Sequence, residues 1–401
     1  MGAINMFPTD AVIVHGARTP MMRYTGAFNQ TSALDLAAAA SREAIRRAAT
    51  DPAEFDHVIF GNVMQTSADA LYGARHVGLK AGLPVETPAV TVNRLCGSGM
   101  ESVSQAAQRI LLGEAKLILA GGMENMSQCP HVIRGARTGF RLGEGKLEDS
   151  LMSGLFDTYC GFSMSETAEN LAAEEGITRQ ACDEYALRSQ QAAEAAFQAG
   201  YMRDEIVPVE VKKGKKIEMV SHDDHRRPET TMETLSSLPP AFRKDGIVTA
   251  GNASGIVDGA AAVVVTHAKT AQERGWKPLG RIVSWATAGV PPRIMGIGPV
   301  PAIRKALAAA AMKLEQLDLI EINEAFAAQY LAVEKVLGLD RARCNVNGGA
   351  IALGHPLAAT GTRLLLTLLL ELRRRGGRYG AASACIGGGQ GIAMIVESLH
   401  S

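Results

Sequence analysis

One half of this chain echoes the other. Residues 55–62 read as an apolar strand closing on Asn62, and residues 317–323 repeat that pattern, closing on Asn323. The lead-in matches as well. A short strand at 11–14 precedes an alanine-rich helix running from Ser32 to about Ala48, with Ser32 and Asp35 spaced as a capping box. In the second half a strand at 281–285 precedes an alanine-rich helix at 300–313. Downstream, Cys96-Gly97-Ser98-Gly99 opens a helix to Leu112, Gly113 closes it, and a strand at 116–120 ends in Gly121-Gly122. Likewise Thr360-Gly361 opens a helix to Arg375, Gly376-Gly377 closes it, and a strand at 379–384 is followed by Gly387-Gly388-Gly389. This alternation predicts an internally duplicated α/β protein whose parallel strands are covered by helices on both faces. Between the halves, residues 123–245 are polar and charged, and too long for a structureless connection. They are expected to form a separate lobe inserted in the first half, which resumes with the apolar strand 260–266.

Composition excludes several classes. Lys+Arg 41 balances Asp+Glu 41 over 401 residues, so no electrostatic field points to a nucleic acid or an acidic membrane. The most apolar run, 364–370, is far short of the ~20 residues a span requires, and the N-terminus carries no basic stretch with an apolar segment behind it. A bacterial cytoplasm is therefore expected, with a mitochondrial matrix as the alternative. Six cysteines are too few for a disulfide scaffold, and none are spaced as Cys-x-x-Cys, so no metal site is expected. No phosphate loop, His-Glu-x-x-His or dinucleotide fingerprint is present, which excludes nucleotide hydrolysis and zinc proteolysis and argues against NAD chemistry.

Four residues stand where chemistry gathers. Cys96 follows an apolar strand and precedes a helix with two glycines in its first turn. The positive end of that helix should lower the thiol pKa and favour the thiolate, against the bland reading of an inert buried cysteine. Cys385 occupies the corresponding edge of the second half, before a glycine cluster whose N–H groups can face an oxyanion, although such clusters also mark ordinary turns. His355 lies in a glycine-lined loop with Pro356 fixing the next residue, rigid enough to act as a base toward a thiol, where a lone loop histidine is otherwise a solvated bystander. Asn323 ends a strand, where catalytic side chains collect in α/β folds, or else simply caps.

Taken in order, Asn93-Arg94-Leu95-Cys96-Gly97-Ser98-Gly99, Gly121-Gly122-Met123-Glu124-Asn125-Met126-Ser127, Thr249-Ala250-Gly251-Asn252-Ala253-Ser254-Gly255, Met295-Gly296-Ile297-Gly298-Pro299-Val300-Pro301, Asn323-Glu324-Ala325-Phe326-Ala327, Gly354-His355-Pro356 and Cys385-Ile386-Gly387-Gly388-Gly389-Gln390-Gly391 run nearly end to end. Through them the sequence resembles the thiolases, specifically the 3-ketoacyl-CoA thiolases of fatty-acid β-oxidation. The resemblance implies two duplicated halves with mixed β-sheets layered between helices: residues 1–122 with 246–275, an inserted CoA-binding lobe at 123–245, and residues 276–401. It implies Cys96 as the acylated nucleophile, His355 as the activator of thiols and Cys385 as the proton carrier at the acetyl α-carbon. Oxyanion donors would be the Cys96 and Gly387 N–H groups, and His355 with a water held by Asn323. Arg227, Thr230 and Ser254 fall where the family contacts CoA, while Met164 and Phe326 line the acyl pocket.

The implied reaction is thiolytic cleavage of 3-ketoacyl-CoA by CoA, reversible as a condensation, with CoA a co-substrate and no permanently bound cofactor. A biosynthetic acetyl-CoA acetyltransferase and a non-catalytic acyl-CoA-binding subunit are the alternatives. A homotetramer built as a dimer of dimers is expected. Departures from the family pattern are Ala358 and Thr360, where glycine and serine are common, and Ser163, where acetoacetyl-CoA-specific members often carry histidine.

Overall fold

The computed structural model describes residues 10–399. Its framework is a ten-stranded sheet. Strands β1 (Ala11–Arg18), β2 (His57–Gly61), β3 (Ala89–Val92), β4 (Leu117–Glu124), β5 (Val257–His267), β6 (Gly280–Gly289), β7 (Leu319–Ile322), β8 (Tyr379–Ile386) and β9 (Gln390–Ser398) lie in the order β7-β8-β9-β6-β1-β5-β4-β2-β3. The short strand Met22–Arg23 adds to β5. Moving outward from the middle, β1-β5-β4-β2 on one side mirrors β6-β9-β8-β7 on the other, so the duplication legible in the sequence is a duplication in space. The halves join where Val12 pairs with Arg281 and Ile13 with Gly280.

The expected parallel pairing holds only at the two flanks, for β2 with β3 and β4 and for β7 with β8. Around β1, β5, β6 and β9 the pairings are antiparallel. The reason lies in the connections. A crossover through a helix returns a strand parallel, whereas β8 and β9 are joined directly by a glycine turn that can only reverse the chain.

The principal helices are α1 (Ala33–Ala48), α2 (Gly73–Ala81), α3 (Ser98–Leu111), α4 (Met164–Glu175), α5 (Arg179–Gln198), α6 (Pro299–Ala309), α7 (Ala327–Leu337) and α8 (Leu357–Arg375). Ser32 caps α1, its Oγ accepting the Asp35 N–H at 3.1 Å. Helix α8 opens at Leu357 rather than at Thr360, directly behind Pro356, whose fixed φ suits a helix entrance. Helices α1 and α6 cover one face of the sheet, on β1 and β5 and on β6 and β9, while α3 and α8 pack together against the other. Backbones approach closely there: a Cβ at Gly122 would stand 1.9 Å from the Ala358 carbonyl oxygen. This contact carries the start of α8, and with it His355, toward the Cys96 turn.

Residues between β4 and β5 form short hairpins with α4 and α5. They are tied to the sheet by the buried Arg18–Asp223 pair at 2.7 and 2.9 Å. Tyr185 and Ser189 of α5 each donate to buried Glu324 at 2.7 Å. Among the described residues no helix is long and apolar enough to cross a membrane.

Candidate active site

Cys96 sits in a single turn, Leu95–Gly97, directly before α3. Leu95 is held at φ 47°, a region L-residues enter at a cost. Its N–H donates to Asn93 Oδ1 at 2.9 Å, and Ser98 Oγ donates to its carbonyl at 2.7 Å while accepting the Arg94 N–H at 2.8 Å. That strained turn presents Cys96 to a cavity of about 200 Å³, whose walls include Val63, Leu155, Met164, Leu357 and Gly387. The Gly387 N–H hydrogen-bonds the sulfur. It is aimed by the β8–β9 turn, where Gly388 and Gly389 adopt φ 79° and 82°, values that glycine takes without strain.

The expected lowering of the Cys96 pKa does not occur. Burial pushes the thiol up to about 11 and the nearby Glu124 adds to the rise, outweighing the Gly387 bond. The helix start is present, but so dry an environment disfavours the bare thiolate. Cys385, in β8, is fully buried among Met295 and Ala325, with Met164 and Phe326 packed alongside. Burial, together with the proximity of Cys96, drives its thiol well above the ordinary range. Two protonated sulfurs, one from each half, therefore share the site.

Asn323 follows β7, and its N–H donates to Ser383 of β8 at 2.9 Å, which fixes it beside the strand carrying Cys385. Its amide nitrogen is 3.3 Å from His355 Nε2, and Thr360 Oγ1 is 2.6 Å from His355 Nδ1. The His355 N–H donates to the Gly255 carbonyl at 2.9 Å. Burial, with the charge of Arg363 second, pushes the imidazole down to about 3, so it is neutral at rest. A hydroxyl can donate to Nδ1 or accept from it, so Thr360 supports either tautomer of the ring. Replacing it with valine, which keeps the shape and removes the hydroxyl, should lower kcat about tenfold or more. Thr360→Ser should restore it, as steady-state kinetics on the two variants would show.

Sequence reasoning missed Glu124, at the end of β4. Its buried carboxylate accepts from Asn62 Nδ2 (3.1 Å), Val63 N (3.3 Å), Met64 N (2.8 Å) and Ala358 N (3.1 Å), tying a wall of the cavity to α8. Burial pushes it up to about 7. An acid closing an otherwise apolar strand was the available signal.

Arg227 and Thr230 meet in a second cavity of about 170 Å³, together with Gln190 and His225, neither of which sequence reasoning had singled out. The Arg227 N–H donates to Gln190 Oε1 at 2.9 Å, and Thr230 Oγ1 donates to the Arg227 carbonyl at 2.7 Å. Ser254 and Phe326 are outside the walls of both cavities. The Ser254 N–H instead donates to Ala325 at 3.0 Å, bridging toward the Asn323 loop.

The models of the thiolase N-terminal domain and the thiolase C-terminal domain match residues 11–269 and 276–398. The chain belongs to the thiolase family. It is 52% identical to the mitochondrial 3-ketoacyl-CoA thiolase of Homo sapiens over 96% of this chain and 98% of that protein. It is 49% identical to an acetyl-CoA acetyltransferase of Cupriavidus necator over 97% and 99%. The crystal structure of human mitochondrial 3-ketoacyl-CoA thiolase in complex with CoA superposes with a TM-score of 0.96 at 50% identity, covering 98% of this chain and 100% of that one. As a thiolase this chain is an acyltransferase.

The departures from the family pattern acquire physical roles in this thiolase. Ala358 is wholly buried and gives its N–H to Glu124, while Thr360 supplies the hydroxyl on His355. Ser163 caps α4: its Oγ accepts the Glu166 N–H at 3.3 Å, and Glu166 Oε2 accepts the Ser163 N–H at 2.8 Å. The cap places Met164 at the first helical position, facing the cavity.

Proposed function

We propose that this thiolase cleaves 3-ketoacyl-CoA with CoA, giving acetyl-CoA and a shortened acyl-CoA. The observations that support the reading are the proximity of Cys385 and the Gly387 N–H to Cys96, and a neutral imidazole whose Nε2 is 3.3 Å from Asn323, itself bonded to the strand that carries Cys385. In the first half-reaction His355 takes the Cys96 proton as the sulfur attacks the 3-keto carbon. The carbon–carbon bond then breaks, leaving an acyl group on Cys96 and an enolate of acetyl-CoA. Cys385 gives its proton to the enolate carbon and recovers one from the imidazolium. In the second half-reaction His355 deprotonates CoA, whose thiolate takes the acyl group; Cys96 leaves and is reprotonated. Charge arises only in steps where a fixed donor meets it, which suits residues that are all neutral at rest.

The lobe at 123–245, between halves formed by 1–122 with 246–275 and by 276–401, is proposed to hold CoA at the Arg227–Thr230 cavity. Arg227→Ala should raise the KM for CoA several-fold and leave kcat almost unchanged, because an exposed cation contributes to binding alone. Substrate saturation curves for CoA check this. A homotetramer in a bacterial cytoplasm accompanies the proposal.

Turnover of acetoacetyl-CoA with CoA tests the activity, and mass mapping should find the acyl group on the Cys96 peptide when CoA is withheld. Absence of turnover would favour a binding role for the chain. The similar identity to acetyl-CoA acetyltransferases keeps acetoacetyl-CoA synthesis as a second reading. The ratio of kcat/KM on acetoacetyl-CoA to that on a medium-chain 3-ketoacyl-CoA separates the two.

A further inference from the structure

Glu324 is wholly buried, one residue beyond Asn323. Its Oε1 accepts from Tyr185 Oη at 2.7 Å and Asn345 Nδ2 at 3.0 Å, and its Oε2 from Ser189 Oγ at 2.7 Å and the Ile351 N–H at 3.1 Å. A carboxyl group taken out of water is tolerated where its lone pairs are met, and here four donors from separate stretches of chain meet them. They converge closely. A Cβ at Gly349 would lie 2.4 Å from the Glu324 Cδ.

The donors differ in what else they hold. Ile351 belongs to the helical turn Ala350–Leu353, which ends two residues before His355. Asn345 brackets the end of β7 directly before Asn323, accepting the Ile322 N–H at 2.8 Å and donating to the Ile322 carbonyl at 2.9 Å. Tyr185 and Ser189 lie on α5, beside Gln190. Gln190 and Ile351 are both walls of the Arg227–Thr230 cavity. The Gln190 Nε2 donates to the Ile351 carbonyl at 3.4 Å, while its Oε1 accepts the Arg227 N–H. One carboxyl group thus ties a wall of that cavity to the two loops that carry His355 and Asn323. We infer that Glu324 is a positioning residue for the acceptor thiol: it holds the CoA cavity in register with the His355–Asn323 pair, so that CoA anchored by its nucleotide presents its sulfur to the imidazole. The inference rests on the roles proposed above for His355 and for the Arg227–Thr230 cavity. Binding energy gained far from the reacting atom speeds the reaction only if the protein between the two points is fixed.

The test compares CoA with pantetheine, which carries the same thiol arm without the nucleotide, as the acceptor in thiolysis of acetoacetyl-CoA by the full-length protein. In a ping-pong reaction kcat/KM for the acceptor reads the second half-reaction alone. Glu324→Gln keeps the shape, but either orientation of its amide turns an NH2 group toward a donor with no lone pair to offer, Asn345 Nδ2 or the Ile351 N–H. It should shrink the preference for CoA over pantetheine about tenfold, because the anchored nucleotide then delivers the thiol out of register. A smaller active fraction would slow both acceptors alike, so a preference equal to that of the unsubstituted protein overturns the inference. Should Glu324→Gln fail to fold, Tyr185→Phe and Ser189→Ala give the same readout, each removing one tie to α5 and leaving the other three donors in place. The preference should fall about threefold in each, the worth of one buried hydrogen bond, and an undiminished preference in both overturns the inference equally. An unsubstituted protein that turns over without preferring CoA would instead defeat the placement of CoA at the Arg227–Thr230 cavity, a failure distinct from that of Glu324.

Discussion

Cys96→Ala should abolish turnover, a loss of about four orders of magnitude or more in kcat, with little change in thermal stability. The side chain borders a cavity, so its removal leaves no void in the core, yet the acyl group loses the atom that carries it. Cys385→Ala should fail differently. Cys96 and the Gly387 N–H remain in that variant, so the enzyme should still accept an acyl group from a saturated acyl-CoA and exchange it with free CoA. It should lose exchange of the acetyl α-protons with solvent, because the group that moves them is gone. Mass mapping of the Cys96 peptide and deuterium incorporation into acetyl-CoA measure the two steps separately. Equal loss of both steps in Cys385→Ala would contradict the division of labour between the sulfurs.

Gly122→Ala should destabilise the protein by about 3 kcal/mol or more, at the upper end of what overpacking costs. The added carbon would stand 1.9 Å from the Ala358 carbonyl oxygen, a backbone atom with no rotamer to escape into. Neither partner can retreat. Strand β4 is paired on both sides, and α8 is wedged between the sheet and α3. Gly289→Ala is the control, since a Cβ there meets nothing within 4 Å and should be close to neutral. Urea midpoints for the two variants should differ accordingly, and activity should fall with stability only in the first, because the same contact seats His355.

Much of this was legible in the residues. The repeated strand ending in Asn, the paired glycine closures and the capping Ser32 located the two halves and the helices that begin the site. Pairing direction was less legible, because alternation of strands and helices says nothing about a hairpin as tight as the one at Gly388 and Gly389. The protonation state of Cys96 was misread for a related reason. A helix start is local and visible in sequence, whereas the burial that overrides it comes from a cavity whose walls, Leu357 and Met164 among them, are brought in from distant segments. Glu124 and Glu324 escaped notice because burying a charge is meaningful only once the surrounding walls are known. Arg227 and Thr230 line one cavity, while Ser254 and Phe326, like His355, Asn323 and Cys385, are not among the residues that line it or the Cys96 cavity.

The narrow seam between the halves has a mechanical corollary. Where two register pairs join β1 to β6, the packing of α8 against α3, β4 and β5 shares the aligning. One half contributes Cys96; the other contributes Cys385, His355 and Asn323. A slip of an ångström along that joint would misalign the proposed nucleophile and proton donor together, and a misplacement of that size can cost about a hundredfold in rate. Anything that stiffens the joint tunes the enzyme without ever touching its substrate.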